Sequence, residues 1–233
     1  MLNTPVFIVN LKRDHERYVA TKQRIQDAGY TNITRWNAVD ATNPKELHDA
    51  WLQQFNNVMP TFEPADPDFV AKVGKQGLYL SMISLWKHMI DNKIQIATIF
   101  EDDIMFHPQW SHYAQQYWTL TPKTFDILYI GNQLHMPSEH HIDRVPVYCL
   151  HAYMLTLEGA TKLYNLVKIN PCTLDFMLAH YMCREAIRKI QCPFNWFVWN
   201  GTFFPTEHTS KKNTGLVYQD DSYESSIEVV ITK

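Results

Sequence analysis

The hydrophobic pattern opens with Pro5 to Leu11 (PVFIVNL), a short run rich in β-branched residues of the kind that forms a strand buried on both faces. From Asp14 to Ala28 the positions Tyr18, Thr21, Ile25 and Ala28 recur at helical spacing, with Gly29 just beyond as a stop. Asn32 to Val39 (NITRWNAV) alternates and predicts a second strand. A β-α-β opening favours parallel strands joined by a right-handed crossover. Pro44 to Phe55 predicts a helix. Residues 56–70, in a stretch holding Pro44, Pro60, Pro64 and Pro67, read as a long irregular loop of the kind that often forms a lid.

Further along, Leu78, Met82, Leu85, Trp86 and Met89 mark a helical stripe, and Ile94 to Phe100 (IQIATIF) is a buried strand running into Glu101, Asp102 and Asp103. Pro108 starts a helix carrying Trp110, Tyr113 and Tyr117, and Phe125 to Gly131 (FDILYIG) is a strand closed by glycine. Val147 to Leu155 adds a strand, followed by a helix through Ala160, Leu163, Tyr164 and Val167, and residues 173–189 predict a last long helix. The polar tail from Lys211 reads as an extended closing segment outside the core.

A length of 233 residues fits a single domain, and 45% hydrophobic with 19% charged residues excludes a disordered chain. Lys and Arg number 21 against 24 Asp and Glu, a net charge of −3, so no positive field exists to hold nucleic acid. The four cysteines contain no C-x-x-C pair, which disfavours a zinc knuckle or a disulfide framework and favours reduced, mostly buried thiols. The N-terminus lacks the order of a signal peptide. The longest uncharged stretch, Ile190 to Thr206, is broken by Pro193 and Pro205 and predicts no transmembrane segment. A cytoplasmic chain is expected, with peripheral membrane contact allowed and the sequons at Asn32 and Asn200 as chance matches.

Carboxylates at the end of an apolar strand fall where α/β sheets bind ligands, and they suit a hard divalent cation; the alternative is a solvated turn. Asn10, Leu11, Lys12 and Arg13, with Arg17 in the first helical turn, offer backbone donors and cations to a nucleotide's ribose and diphosphate, or else form a solvated charged face. Arg17 sits where the helix dipole disfavours a cation unless an anion arrives. The 11 histidines show no catalytic-zinc spacing, and with 7 glycines the chain carries no phosphate-binding loop, dinucleotide fingerprint or nucleophile elbow. The aromatic residues around Pro193 (Phe194, Trp196, Phe197, Trp199, Phe203, Phe204) suit core packing, with sugar stacking as the alternative.

In order, these features resemble glycosyltransferase family 25, which includes lipopolysaccharide and collagen galactosyltransferases. The resemblance rests on Val6 to Leu11 with Arg13 and Arg17, on Ala38-Val39-Asp40, on Gly77, Ser81 and Trp86, and above all on Ile99-Phe100-Glu101-Asp102-Asp103 followed by His107-Pro108. Phe125 to Gly131, His151 to Met154, Gly159-Ala160, Asp175 and the pair Gln219 and Ser222 extend it across nearly the whole chain, while Met82 stands where the family has histidine.

The resemblance implies an α/β chain of GT-A type, with a Rossmann-like, mostly parallel central sheet flanked by helices. It implies a single glycosyltransferase domain over residues 1–233, with a nucleotide-sugar half over about 1–103 and an acceptor-binding and closing half over about 104–233. A UDP-linked sugar and Mn2+ or Mg2+ are implied, with a hexose passing under inversion to a hydroxyl of a glycan, glycolipid or glycoprotein. Asn10, Leu11, Arg13, Arg17, Asp40, Ser81, Glu101 and Asp102 then bind the donor, Glu101 toward the ribose, while Asp103 and His208 hold the metal. Among Asp126, Asp143, Glu158 and Asp175, the expected base is Asp175, at a helix start between Leu174 and Phe176. The rival readings are a non-catalytic carbohydrate- or nucleotide-binding module and a metal-dependent phosphohydrolase.

Overall fold

The structure, a computed structural model, describes residues 1–59, 67–169, 171–220 and 222–223. In chain order its elements are β1 (Val6–Leu11), α1 (His15–Asp27), β2 (Ile33–Ala38), α2 (Pro44–Gln54), α3 (Pro67–Ala71), α4 (Val73–Asp91), β3 (Ile96–Glu101), β4 (Ile104–Phe106) and α5 (Trp110–Leu120). There follow β5 (Ile127–Leu134), β6 (Ile142–Asp143), β7 (Val147–Thr156), α6 (Leu157–Val167), α7 (Leu174–Arg188), β8 (Trp196–Trp199), a 3-10 turn (Gly201–Phe203) and β9 (Val217–Gln219).

Seven strands form one sheet in the order β2-β1-β3-β7-β5-β8-β6. β1 pairs in parallel with β2 and β3, and β5 with β8, while β7 and β6 run against their neighbours. The sheet is therefore mostly parallel, and the expected α/β class holds. One core gathers Trp51, Met82, Trp86, Leu163, Leu178 and Trp196 around α2, α4, α6 and α7. The other gathers Ile8, Ile25, Trp110, Tyr117, Trp199 and Val217 around α1, α5 and the tail. Both faces of the sheet are covered, which is why β1 reads as an unbroken apolar run.

Several elements depart from the expected pattern. α4 begins at Val73, before the stripe from Leu78, and Gly77 within it serves close packing, since a Cβ there would meet the Val39 carbonyl at 2.8 Å. β5 runs on past Gly131 to Leu134. The tail is overturned as a merely closing segment: Leu216, Val217 and Tyr218 are fully buried, and β9 pairs antiparallel with β4. Three apolar residues between polar neighbours are too few to show a period, and the burial comes from pairing with a distant strand. Core packing holds for Phe194, Trp196 and Trp199, whereas Phe203 is exposed. No disulfide joins the four cysteines, of which Cys192 is buried and the other three half-buried. Residues 60–66 of the expected lid lie outside the described residues, and no described helix is long and apolar enough to cross a membrane.

Candidate active site

In the order β2-β1-β3 the chain leaves β1 toward one neighbour and later returns on the other side. α1 packs on one face of the sheet and α4 on the other. Such a reversal leaves a crevice at the carboxyl ends of the strands. The cleft found there is lined by Asn10, Leu11, Arg13 and Arg17, by Asp40 and Thr42 after β2, by Gly74, Gly77 and Ser81 of α4, by Glu101, Asp102 and Asp103, and by Gln219 of β9. All of the expected donor residues and Asp103 thus line one cleft.

Within the cleft the three acids differ. Asp102 is buried and saturated: Asn10 Nδ2 donates to its Oδ2, Arg17 donates to Oδ1 at 2.5 Å, and its carbonyl accepts from Thr21 Oγ1 at 2.6 Å. The anion that the Arg17 position calls for is thus supplied from within the chain. Burial raises the pKa of Asp102, while Asn10 and Arg17 oppose the rise. Asp103 lies 3.7 Å from Arg17, and its Oδ1 is buried without a hydrogen-bond partner. Burial, then the neighbouring Asp102, push its pKa up to about 6 against Arg17. Glu101 is raised well above the usual range by burial first, then by Asp103, Asp102 and Asp175.

At the rim, Arg13 pairs with Asp40 and donates to Thr42 Oγ1 at 2.9 Å. Burial alone would raise the Asp40 pKa, but Arg13 and Thr42 hold it below the ordinary carboxylate value. The Ser81 hydroxyl is already used, donating to the Gly77 carbonyl at 2.6 Å and accepting from Val39 N–H at 2.8 Å, so it fastens α4 to the end of β2. Met82 is away from the cleft. It is fully buried, and its sulfur accepts from the Tyr153 hydroxyl at 3.5 Å.

Asp175 opens α7, half-buried, and its carboxylate accepts from Phe176 N–H at 2.9 Å. It is not among the cleft-lining residues, although its charge adds to the rise in the pKa values of Glu101, Tyr148 and Cys149. Of its expected apolar flanks Leu174 is buried, but Phe176 is 61% exposed. His208 sits beside Glu207 and Tyr218 and is not among the cleft-lining residues. Among the described residues no three His, Cys, Asp or Glu side chains gather around a metal position. The donor set that does fit a cation is narrower: one open Asp103 oxygen with Glu101 beside it. Such a pair suits an ion that completes its shell with water and substrate phosphate.

Two contributors escaped the sequence reading. Arg35 of β2 donates to Asn10 and to the carbonyls of Leu11 at 3.0 Å and Lys12 at 3.2 Å. The tail crosses the acids: Asp220 N–H donates to the Asp103 carbonyl at 2.6 Å, Arg24 pairs with Asp220 at 3.0 Å, and the Arg17 guanidinium lies 4.8 Å from the Tyr223 ring centroid. Their signals were an arginine on a strand next to β1 and, in the tail, the pair Gln219 and Ser222 around Asp220, with Tyr223 just beyond.

The fold and cleft define an α/β protein whose polar site lies at the strand reversal of its sheet. The family described as Glycosyltransferase family 25 (LPS biosynthesis protein) matches residues 3–178, and the chain belongs to it. Procollagen galactosyltransferase 2 of Mus musculus is 25% identical over 171 residues, covering 68% of this chain and 27% of the relative. A glycosyltransferase 25 family member of Drosophila melanogaster is 26% identical over 169 residues, with the same shares. The chain thus spans about a quarter of the curated relatives it matches. Among solved structures, mouse xyloside xylosyltransferase 1 in its apo form is similar over 93% of this chain and 97% of that one, at 8% identity and a TM-score of 0.46.

Proposed function

We propose that the chain is a glycosyltransferase that takes a hexose from a UDP-linked sugar and delivers it to a hydroxyl of a glycan, glycolipid or glycoprotein. The observation that carries this reading is the buried, unpartnered Asp103 Oδ1 beside Glu101, in a cleft also lined by Arg13 and Arg17. An oxygen left without a donor in a buried place is expensive to keep, and a site for a cation explains it. Family membership and the galactosyltransferase relatives support the same reaction class.

Mn2+ or Mg2+ held by Asp103 would supply positive charge to the leaving diphosphate. Asp102 keeps Arg17 in place, and Arg17 presents its remaining face to a phosphate. Glu101 faces the ribose, and Asn10 and Leu11 offer the backbone of the first loop. Asp40 holds Arg13 at the rim, where it closes over the nucleotide. Residues 1–103 thus carry the donor, with Gln219 the one lining residue from the later half. Inversion needs a base on the face opposite the diphosphate, and Asp175, which enters from α7, is the carboxylate suited to take the acceptor proton.

Calorimetry of UDP with and without manganese, on wild type and Asp103→Ala, tests the reading. Manganese should tighten UDP in wild type and have no effect in the variant. Equal UDP affinity in all four measurements would refute the donor site. Asp175→Asn should slow transfer by about 100-fold with UDP binding within two-fold, the scale expected for a lost general base.

A further inference from the structure

We propose that Arg35 is a positioning residue of the cleft, setting the orientation of Asn10 and through it the pairing of Asp102 with Arg17. The inference rests on the diphosphate-binding reading of the site. Arg35 stands opposite Ile8 in the β1–β2 register, one strand away from the acids. Its Nη2 donates to Asn10 Oδ1 and to the carbonyls of Leu11 and Lys12, and its guanidinium lies over the Tyr18 ring at 4.7 Å. One side chain thereby joins the end of β1, the first loop and α1.

The chemistry of the partners allows one arrangement. A guanidinium only donates, an ionised carboxylate only accepts, and an amide has one end of each kind. With Arg35 on its oxygen, Asn10 must turn its Nδ2 toward Asp102 Oδ2, and the same group reaches the Asp14 carbonyl at 3.0 Å. That leaves Asp102 Oδ1 to Arg17. The chain cation, amide, anion, cation has no second orientation in which each donor meets an acceptor. Without Arg35 the amide oxygen loses its donor, and the Asn10 side chain is held through Nδ2 alone, by Asp102 and the Asp14 carbonyl. Asp102, and Arg17 with it, would then lose part of its fixed direction.

The test is a double-mutant cycle on Arg35→Ala and Asn10→Ala, reading UDP affinity in manganese by calorimetry and melting temperature separately. Arg35→Ala is expected to weaken UDP about ten-fold, and the double variant should bind no more weakly than the worse single one, because both changes break one relay. Arg35→Lys, which keeps the charge and loses the fork, should restore the melting temperature and recover only part of the affinity. Losses that multiply in the double variant would overturn the proposal, as would a lowered melting temperature with unchanged UDP affinity in Arg35→Ala. A wild type that binds no UDP would bring down the donor reading and this inference with it. Wild-type binding with an indifferent Arg35 would remove the inference alone.

Discussion

The sheet carries an aspartate near each end of its strands, Asp126 buried and Asp103 half-buried, and the two are built on opposite principles. Asp126, before β5, is saturated: Lys162 Nζ reaches its two oxygens at 3.0 and 2.9 Å, Asn195 N–H donates to Oδ2 at 2.6 Å, and its backbone packs against Gly159. Asp103, after β3, keeps one buried oxygen unpartnered, shares Arg17 with Asp102 and has its pKa raised. A carboxylate meant to hold a fold together collects donors until none is missing. One kept short of donors, at a cost to stability, fits the cation proposed for it.

The largest break in this comparison should come from Asp126→Ala. It leaves Asn195 N–H without an acceptor and Lys162 without its buried partner, and should cost about 2–4 kcal/mol in urea unfolding with no specific change in UDP affinity per folded molecule. Asp103→Asn should act in the opposite direction. Because the folded pKa lies above the ordinary 3.8, stability from this carboxyl is full below pH 3.8 and is lost as pH rises through about 6. The unliganded wild type should therefore lose stability between those values. The variant should be more stable by up to about 3 kcal/mol at pH 7.5, with the gain vanishing near pH 4. Urea melts at several pH values check both statements, and equal pH profiles would contradict the assignment of strain to Asp103.

Arg17→Ala should sharpen the contrast between the two cations. A charge-assisted contact of about 1.5–3 kcal/mol disappears, so UDP should bind ten-fold or more weakly in calorimetry. The smallest effect belongs to Glu158→Ala. Glu158 is an exposed partner of Lys162 one helical turn away, and its loss should cost a few tenths of a kcal/mol.

The gathering of the cleft residues was legible because it is local: a strand, a loop, a helix start and an acidic strand end each leave a short pattern, and parallel register brings them together. Its internal wiring was hidden. An arginine bonding to its own strand's neighbours and one waiting for phosphate look alike in sequence, and only the 85-residue reach from Arg17 to Asp102 shows that an internal anion answers the helix dipole. Gly131 looked like a strand end because a glycine needed for close approach and one needed for a turn are the same letter. β9 and β4, of three residues each, are too short for any period and exist because they found each other. Asp175, the expected base, stood out by its helix start, while His208, expected as a metal ligand, is a loop residue with no such anchor.

The crossing of the tail also orders events in time. Arg24 and Asp220 are 196 residues apart, and a ribosome adding roughly 5–20 residues per second needs on the order of 10–40 s to pass from one to the other. Until that interval ends the nascent chain has no β9 to lay beside β4. Asp220 N–H reaches the Asp103 carbonyl only then, and the Asp220 charge adds a last, small push to the pKa that burial and Asp102 already raise. The last of the described strands thereby comes to lie over the acids, when every strand of the seven-stranded sheet has been synthesised.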